Sequence, residues 1–150
     1  MRSGNVPTDS PSSEPGGEWT ERVLPTDLAA VREAEREVLG RLRDLGYDDD
    51  HLFAVRLALE EALVNAMKHG NAFDPRRTVH VRYRVLPERV EICVADEGPG
   101  FNPDAVPDPT AEENIERPCG RGIMLMRCYM DEVTFSAKGN EVSMVKYRRP

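Results

Sequence analysis

A single change of hydrophobic rhythm constrains this chain more than any other feature. From Leu28 to Ala66 apolar residues recur mostly every three or four positions, whereas Val79, Val81, Tyr83 and Val85 alternate with His80, Arg82 and Arg84. The first period is that of a helix with one buried stripe, the second that of a strand with one buried face. Two long helices followed by strands, rather than strands and helices in strict alternation, specify an α+β fold.

The helices come with their own stop and start signals. Thr26 or Asp27 can cap the first, whose apolar positions are Leu28, Val31, Val38, Leu42 and Leu45, and Gly46 suits its end. Asp48, Asp49 and Asp50 favour the positive end of a second helix carrying Leu52, Val55, Leu59, Leu63 and Ala66. Gly70-Asn71 has the chemistry of a left-handed cap for it. Strands are expected over 18–24 at an edge, over 79–85, and over 90–96 after a turn at 86–89. Residues 97–119 are rich in Pro, Gly and acids, with room for a short helix within 111–115. A third helix over about 122–130 precedes strands at 132–137 and 141–148, joined by the Lys138-Gly139-Asn140 turn. The expected product is an α+β two-layer sandwich, a mixed, mostly antiparallel sheet with helices on one face.

Composition narrows the organisation and the class. The first 17 residues hold four Ser, three Pro and three Gly, with Val6 as their one strong hydrophobe, so 1–17 is expected as a disordered tail and 18–150 as one domain. A chain of 150 residues buries roughly 70% of its unfolded surface, enough for a core without staples. The formal charge is −7 with basic residues dispersed, which speaks against direct nucleic-acid binding. No stretch approaches the ~20 apolar residues of a membrane span. Cys93, Cys119 and Cys128 are odd in number and lack CxxC spacing, against both a disulfide framework and a zinc site. With no basic-then-apolar leader, a reducing cytoplasm is expected.

Three stretches carry candidate chemistry. On the second helix Glu61, Asn65, Lys68 and His69 form one stripe opposite the apolar side, hemmed in by Phe53, Leu57 and Val64. A carboxylate and a carboxamide so placed need partners, and a metal with phosphates would supply them; a solvated helix face explains the stripe equally well when it stands alone. Asp96-Glu97-Gly98-Pro99-Gly100 closes a core strand, where an Asp can accept from the exocyclic amine of adenine and glycines let backbone approach a flat base. In isolation an ordinary turn is the simpler explanation. Gly120-Arg121-Gly122 opens an apolar helix, a placement that suits phosphate, though a lone GxG is more often a tight loop. Met124, Met126 and Met130 read as core filling, Cys93 as core and Cys128 as helix packing. His51 and His80 read as surface residues, and His69 as a residue that closes its helix or touches phosphate.

In this order, Glu60-Glu61-Ala62-Leu63-Val64-Asn65-Ala66-Met67-Lys68-His69-Gly70-Asn71, then Val94-Ala95-Asp96-Glu97-Gly98-Pro99-Gly100-Phe101, then Gly120-Arg121-Gly122-Ile123-Met124-Leu125-Met126, the chain resembles the GHKL superfamily of ATP-binding folds. Within it, the wording is similar to the anti-sigma factor serine/threonine kinases. The resemblance implies a residue-by-residue assignment. Asn65 would hold the Mg²⁺ that bridges the triphosphate of ATP, and Glu61 would be the general base. Asp96 would read adenine in a pocket shaped by Gly98 and Gly100. Gly120 and Gly122 would form the phosphate loop, with Arg121 or Arg117 reaching a phosphate and 101–119 serving as a lid. Cys119 stands where the family often has a serine. The implied partners are an anti-anti-sigma-type protein substrate and a sigma factor, with a homodimer expected; the same motifs also suit a nucleotide-dependent binding module that performs no transfer.

Overall fold

The computed structural model describes residues 17–99 and 118–148, with the side chains of 118–121 excepted. Most of the tail expected at 1–17, and the helix expected within 111–115, lie outside the described residues. The chain order is β1 (Thr20–Pro25), α1 (Leu28–Asp44), α2 (Asp49–Asn65) with a wider π turn (Ala66–Gly70), β2 (Thr78–Val85), β3 (Arg89–Ala95), α3 (Pro118–Tyr129), β4 (Glu132–Phe135) and β5 (Glu141–Tyr147).

Local chemistry explains the helix limits. Asp27 caps α1 by accepting from the Ala29 N–H at 2.9 Å, and Asp48 caps α2 by accepting from the His51 N–H at 2.9 Å. Gly46 ends α1 at φ +80°, a conformation glycine adopts without a Cβ penalty. Arg148 then seals that end: its guanidinium donates to the carbonyls of Leu45 and Gly46 at 3.0 and 2.6 Å.

The sheet runs β1-β2-β3-β5-β4, and every pairing among the described strands is antiparallel. After β3 the chain leaves the sheet and returns through α3. It lays down β4 at the far edge, then slots β5 between β4 and β3. The helices cover one face, and Leu59, Leu63, Val79, Val90 and Ile92 between the layers are fully buried. Each such side chain contributes about 1.5–3 kcal/mol. The two-layer α+β architecture is thus the expected one, with a wholly antiparallel sheet among the described strands in place of the mixed one.

Three local expectations need correction. Gly70-Asn71 is not a left-handed cap; Asn71 sits at φ −88°, and the positive φ values fall on Ala72 and Phe73 at 53° and 54°. Gly70 and the Asn71 side chain are committed to packing described below, so the reversal is deferred to the next two residues. The third helix starts at Pro118 rather than at 122, because proline fits a first turn and lacks the N–H that would be orphaned there. Gly120 and Gly122 therefore lie inside the helix instead of opening it. Cys93 is buried as expected, on the sheet face away from the helices and in register with Arg82 and Ser143. It touches both, and Trp19 lies over the same face with the Arg82 and Arg84 guanidinium carbons 4.4 and 4.7 Å from its ring centre. Cys128 is exposed rather than packed.

Candidate functional site

The site is organised along one continuous helical stretch, from Glu61 on α2 to Gly70 at the end of the π turn. Nine residue steps separate these ends, about 13 Å at helical rise. The inner side of the stretch, including Val55, Leu59, Ala62, Leu63 and Met67, is sealed in the core, which fixes its rotation. Glu61 and Asn65, four apart, therefore share one half-buried face.

That face meets Gly122 of α3. A Cβ built on Gly122 would stand 2.6 Å from Asn65 Nδ2 and 3.0 Å from Glu61 Oε1. The absent side chain is what lets α3 close on both polar groups. The Asn65 carboxamide makes no capping bond to its own helix. Burial raises the proton affinity of Glu61, and the neighbouring Glu60 charge raises it further.

At the other end, Gly70 passes directly beneath Asp96. A Cβ on Gly70 would fall 2.2 Å from the Asp96 carboxyl, and one on Gly98 would fall 1.9 Å from the Gly70 carbonyl oxygen. Asp96 Oδ1 accepts from the Gly98 N–H at 2.8 Å, and the Asp96 N–H donates to the Asn140 carbonyl at 2.9 Å. Burial raises the Asp96 proton affinity, opposed by the Gly98 N–H and by the charges of Arg77 and Lys138. His69 beside it is exposed, and desolvation with the Lys68 charge lowers its proton affinity.

Asn71, which the sequence presents as a cap residue, holds this end together. It is fully buried; its Nδ2 donates to Thr78 O at 3.0 Å and to Thr26 Oγ1 at 3.2 Å, and its Oδ1 accepts from the Glu97 N–H at 2.8 Å. Thr26 donates in turn to Arg77 O at 2.7 Å. One carboxamide thus fastens the end of the π turn to the start of β2, the end of β3 and the β1–α1 junction. An Asn after Gly in a segment otherwise helical was the signal, but nothing local told a cap from a hub.

Of the expected site residues, Glu61, Asn65, Asp96, Gly98 and Gly122 come together on this frame. Gly120 and Arg121 lie in α3, where the Arg121 side chain is not described, and Gly100, Arg117 and the expected lid fall outside the described residues apart from the first turn of α3. Among the described residues no cluster of three or more His, Cys, Asp or Glu could hold a metal alone. A hard cation at Asn65 would accordingly draw most of its ligands from phosphate and water, as magnesium does. The Asn65 carboxamide, which makes no capping bond to its own helix, fits that role.

A family profile for the histidine kinase-like ATPase domain matches residues 24–146. The chain belongs to this family. Among curated relatives of this ATPase-domain chain, serine-protein kinase RsbW of Bacillus subtilis (strain 168) is 34% identical over 139 residues, covering 87% of this chain and 86% of that protein. The RsbW of Staphylococcus epidermidis is 27% identical over 138 residues, covering 87% of each. A crystal structure of the RsbU and RsbW domains of Rv1364c from Mycobacterium tuberculosis shares the ATPase-domain fold, with a TM-score of 0.60 and 17% identity over 89% of this chain and 33% of that one. The superfamily implied by the three motifs is therefore borne out. No helix among the described residues is long and apolar enough to cross a membrane.

Proposed function

We propose that this protein is an ATP-dependent serine/threonine protein kinase of the anti-sigma type. It transfers the γ-phosphoryl group of Mg-ATP to a hydroxyl of an anti-anti-sigma-type protein and sequesters a sigma factor, in the cytoplasm. The observation that carries this is the shared face of Glu61 and Asn65 against Gly122, with Asp96 at the far end of the same helical stretch. A purine at one end, a phosphate chain along the stretch and an attacking hydroxyl at the other end match its polarity.

Asp96 accepts the adenine amine, while Gly98 and Gly70 keep side chains out of the plane beside it. Asn65 would hold Mg²⁺, which when bound would neutralise the phosphate charge. Glu61 takes the proton of the attacking hydroxyl; its raised proton affinity suits a base that works near neutral pH. Gly122 lets α3 approach without displacing either group.

Glu61→Gln keeps the shape and loses the base. It is expected to bind Mg-ATP with wild-type affinity by isothermal titration and to lose radiolabel transfer to the protein substrate. Transfer by Glu61→Gln at the wild-type rate would overturn the assignment. Asp96→Asn is expected to weaken nucleotide binding about 10- to 100-fold, the value of one charge-assisted hydrogen bond.

A further inference from the structure

Glu35 is the one acidic side chain in the buried core of α1, 9% exposed. It faces α2, where its carboxyl is within hydrogen-bonding reach of the Glu60 carboxyl. Its Oε2 is buried and takes no hydrogen bond from any described group. Ionised carboxylates only accept, so two of them in contact with no donor between them are two like charges in a poorly solvating seam. One proton converts the same geometry into a hydrogen bond.

The other charged groups facing Glu35 are Arg56 on α2 and Arg32 on α1 itself. Arg56 is spent largely on Glu60, at 3.4 Å, and that pair is half-exposed. Glu35, buried and with an oxygen that no described group satisfies, is therefore the carboxyl on which the proton resides. We propose that Glu35 and Glu60 share one proton across the α1–α2 seam, and that its loss loosens α1 from the helix bearing Glu61 and Asn65.

Burial and the Glu60 carboxyl push the Glu35 carboxyl up to about 7 from an unfolded value of 4.5. Because the folded value lies above the unfolded one, the folded state binds the proton more tightly than the unfolded chain. The resulting stability is fully present below the unfolded value and is lost as pH rises through about 7. This window lies within the physiological range and does not depend on whether the site transfers phosphate.

The test compares melting temperatures of the wild-type chain and Glu35→Gln, a near-isosteric change that supplies a permanent donor to Glu60. The two curves should converge below about pH 5 and separate by several degrees above about pH 8, with the variant higher. At the higher pH, amide exchange in α1 should be slower in Glu35→Gln than in the wild-type chain. Glu60→Gln, altered at the half-exposed partner, should flatten the same dependence and serves as the second variant if Glu35→Gln folds poorly. Parallel melting curves across this range, for both variants, would overturn the shared proton.

Discussion

The two ends of the candidate site are built by different means. At the proposed purine end, backbone meets backbone: Gly98 lies against the Gly70 carbonyl, and the fully buried Asn71 ties four segments around them. At the proposed phosphate end, one glycine of α3 meets the tips of two side chains, Asn65 and Glu61. Both ends require glycine, yet the atoms that crowd it differ in their freedom to move. The first end is a structural joint to which the proposed function adds binding, whereas the second is a seam of side-chain tips that the fold does not depend on. Glycine substitutions should therefore separate fold from function.

The largest effect is expected at Gly98. A methyl at Gly98 would overlap the Gly70 carbonyl oxygen, and neither backbone can yield without disturbing Asn71. Gly98→Ala should cost about 3 kcal/mol, the upper end for overpacking, in urea unfolding, and should abolish nucleotide binding with it. A variant of wild-type stability would erase the distinction between the two ends.

Gly122→Ala should be the reverse. Its methyl meets Asn65 Nδ2, the far end of a side chain that can rotate away. About 1 kcal/mol of stability is expected to be lost, since only a rotamer must change. Displacing Asn65 removes the proposed metal ligand, so transfer should fall about 100-fold. The comparison is sharpened by running unfolding and radiolabel transfer on the same preparation. Equal losses in both measurements would mean that the phosphate end is as structural as the purine end.

The same contrast explains what the sequence discloses. The helices, the hairpin of β2 and β3 and the Glu61–Asn65 face follow from periodicity and caps, which act within a few residues. The three motifs resemble a known arrangement strongly enough to bring Asp96 and Gly98 to the helix before any coordinates exist. Asn71, Gly70 and Arg148 are a different matter. Their partners lie far along the chain, as Thr26 does from Asn71 and Leu45 from Arg148. Local sequence presents Asn71 as a cap residue because hydrogen-bonding capacity is visible there and burial is not. The early start of α3 is not legible because a GxG reads as a tight loop or a helix opening, and only the contact with α2 shows what Gly122 supplies.

The smallest effect concerns charge alone. Glu60 lies outside the face shared by Glu61 and Asn65, is half-exposed, and bridges Arg56 one turn earlier. The Glu60–Arg56 pair taken alone is worth only about 0.3–0.5 kcal/mol, apart from the pH-dependent contact of Glu60 with Glu35. Its charge nevertheless raises the proton affinity of Glu61, second to burial. A base acts in its ionised form, so transfer is lost as pH falls through the folded pKa of Glu61, and raising that value moves the acid limb upward. Glu60→Gln removes one of the two causes and leaves burial in place. The acid limb of the transfer profile should shift to lower pH while Mg-ATP affinity holds. Because a weaker base accepts the hydroxyl proton less readily, the plateau should fall modestly at the same time. An unmoved limb with a lowered plateau would make Glu60 a packing residue of α2, and the phosphate end would then owe its chemistry to burial alone.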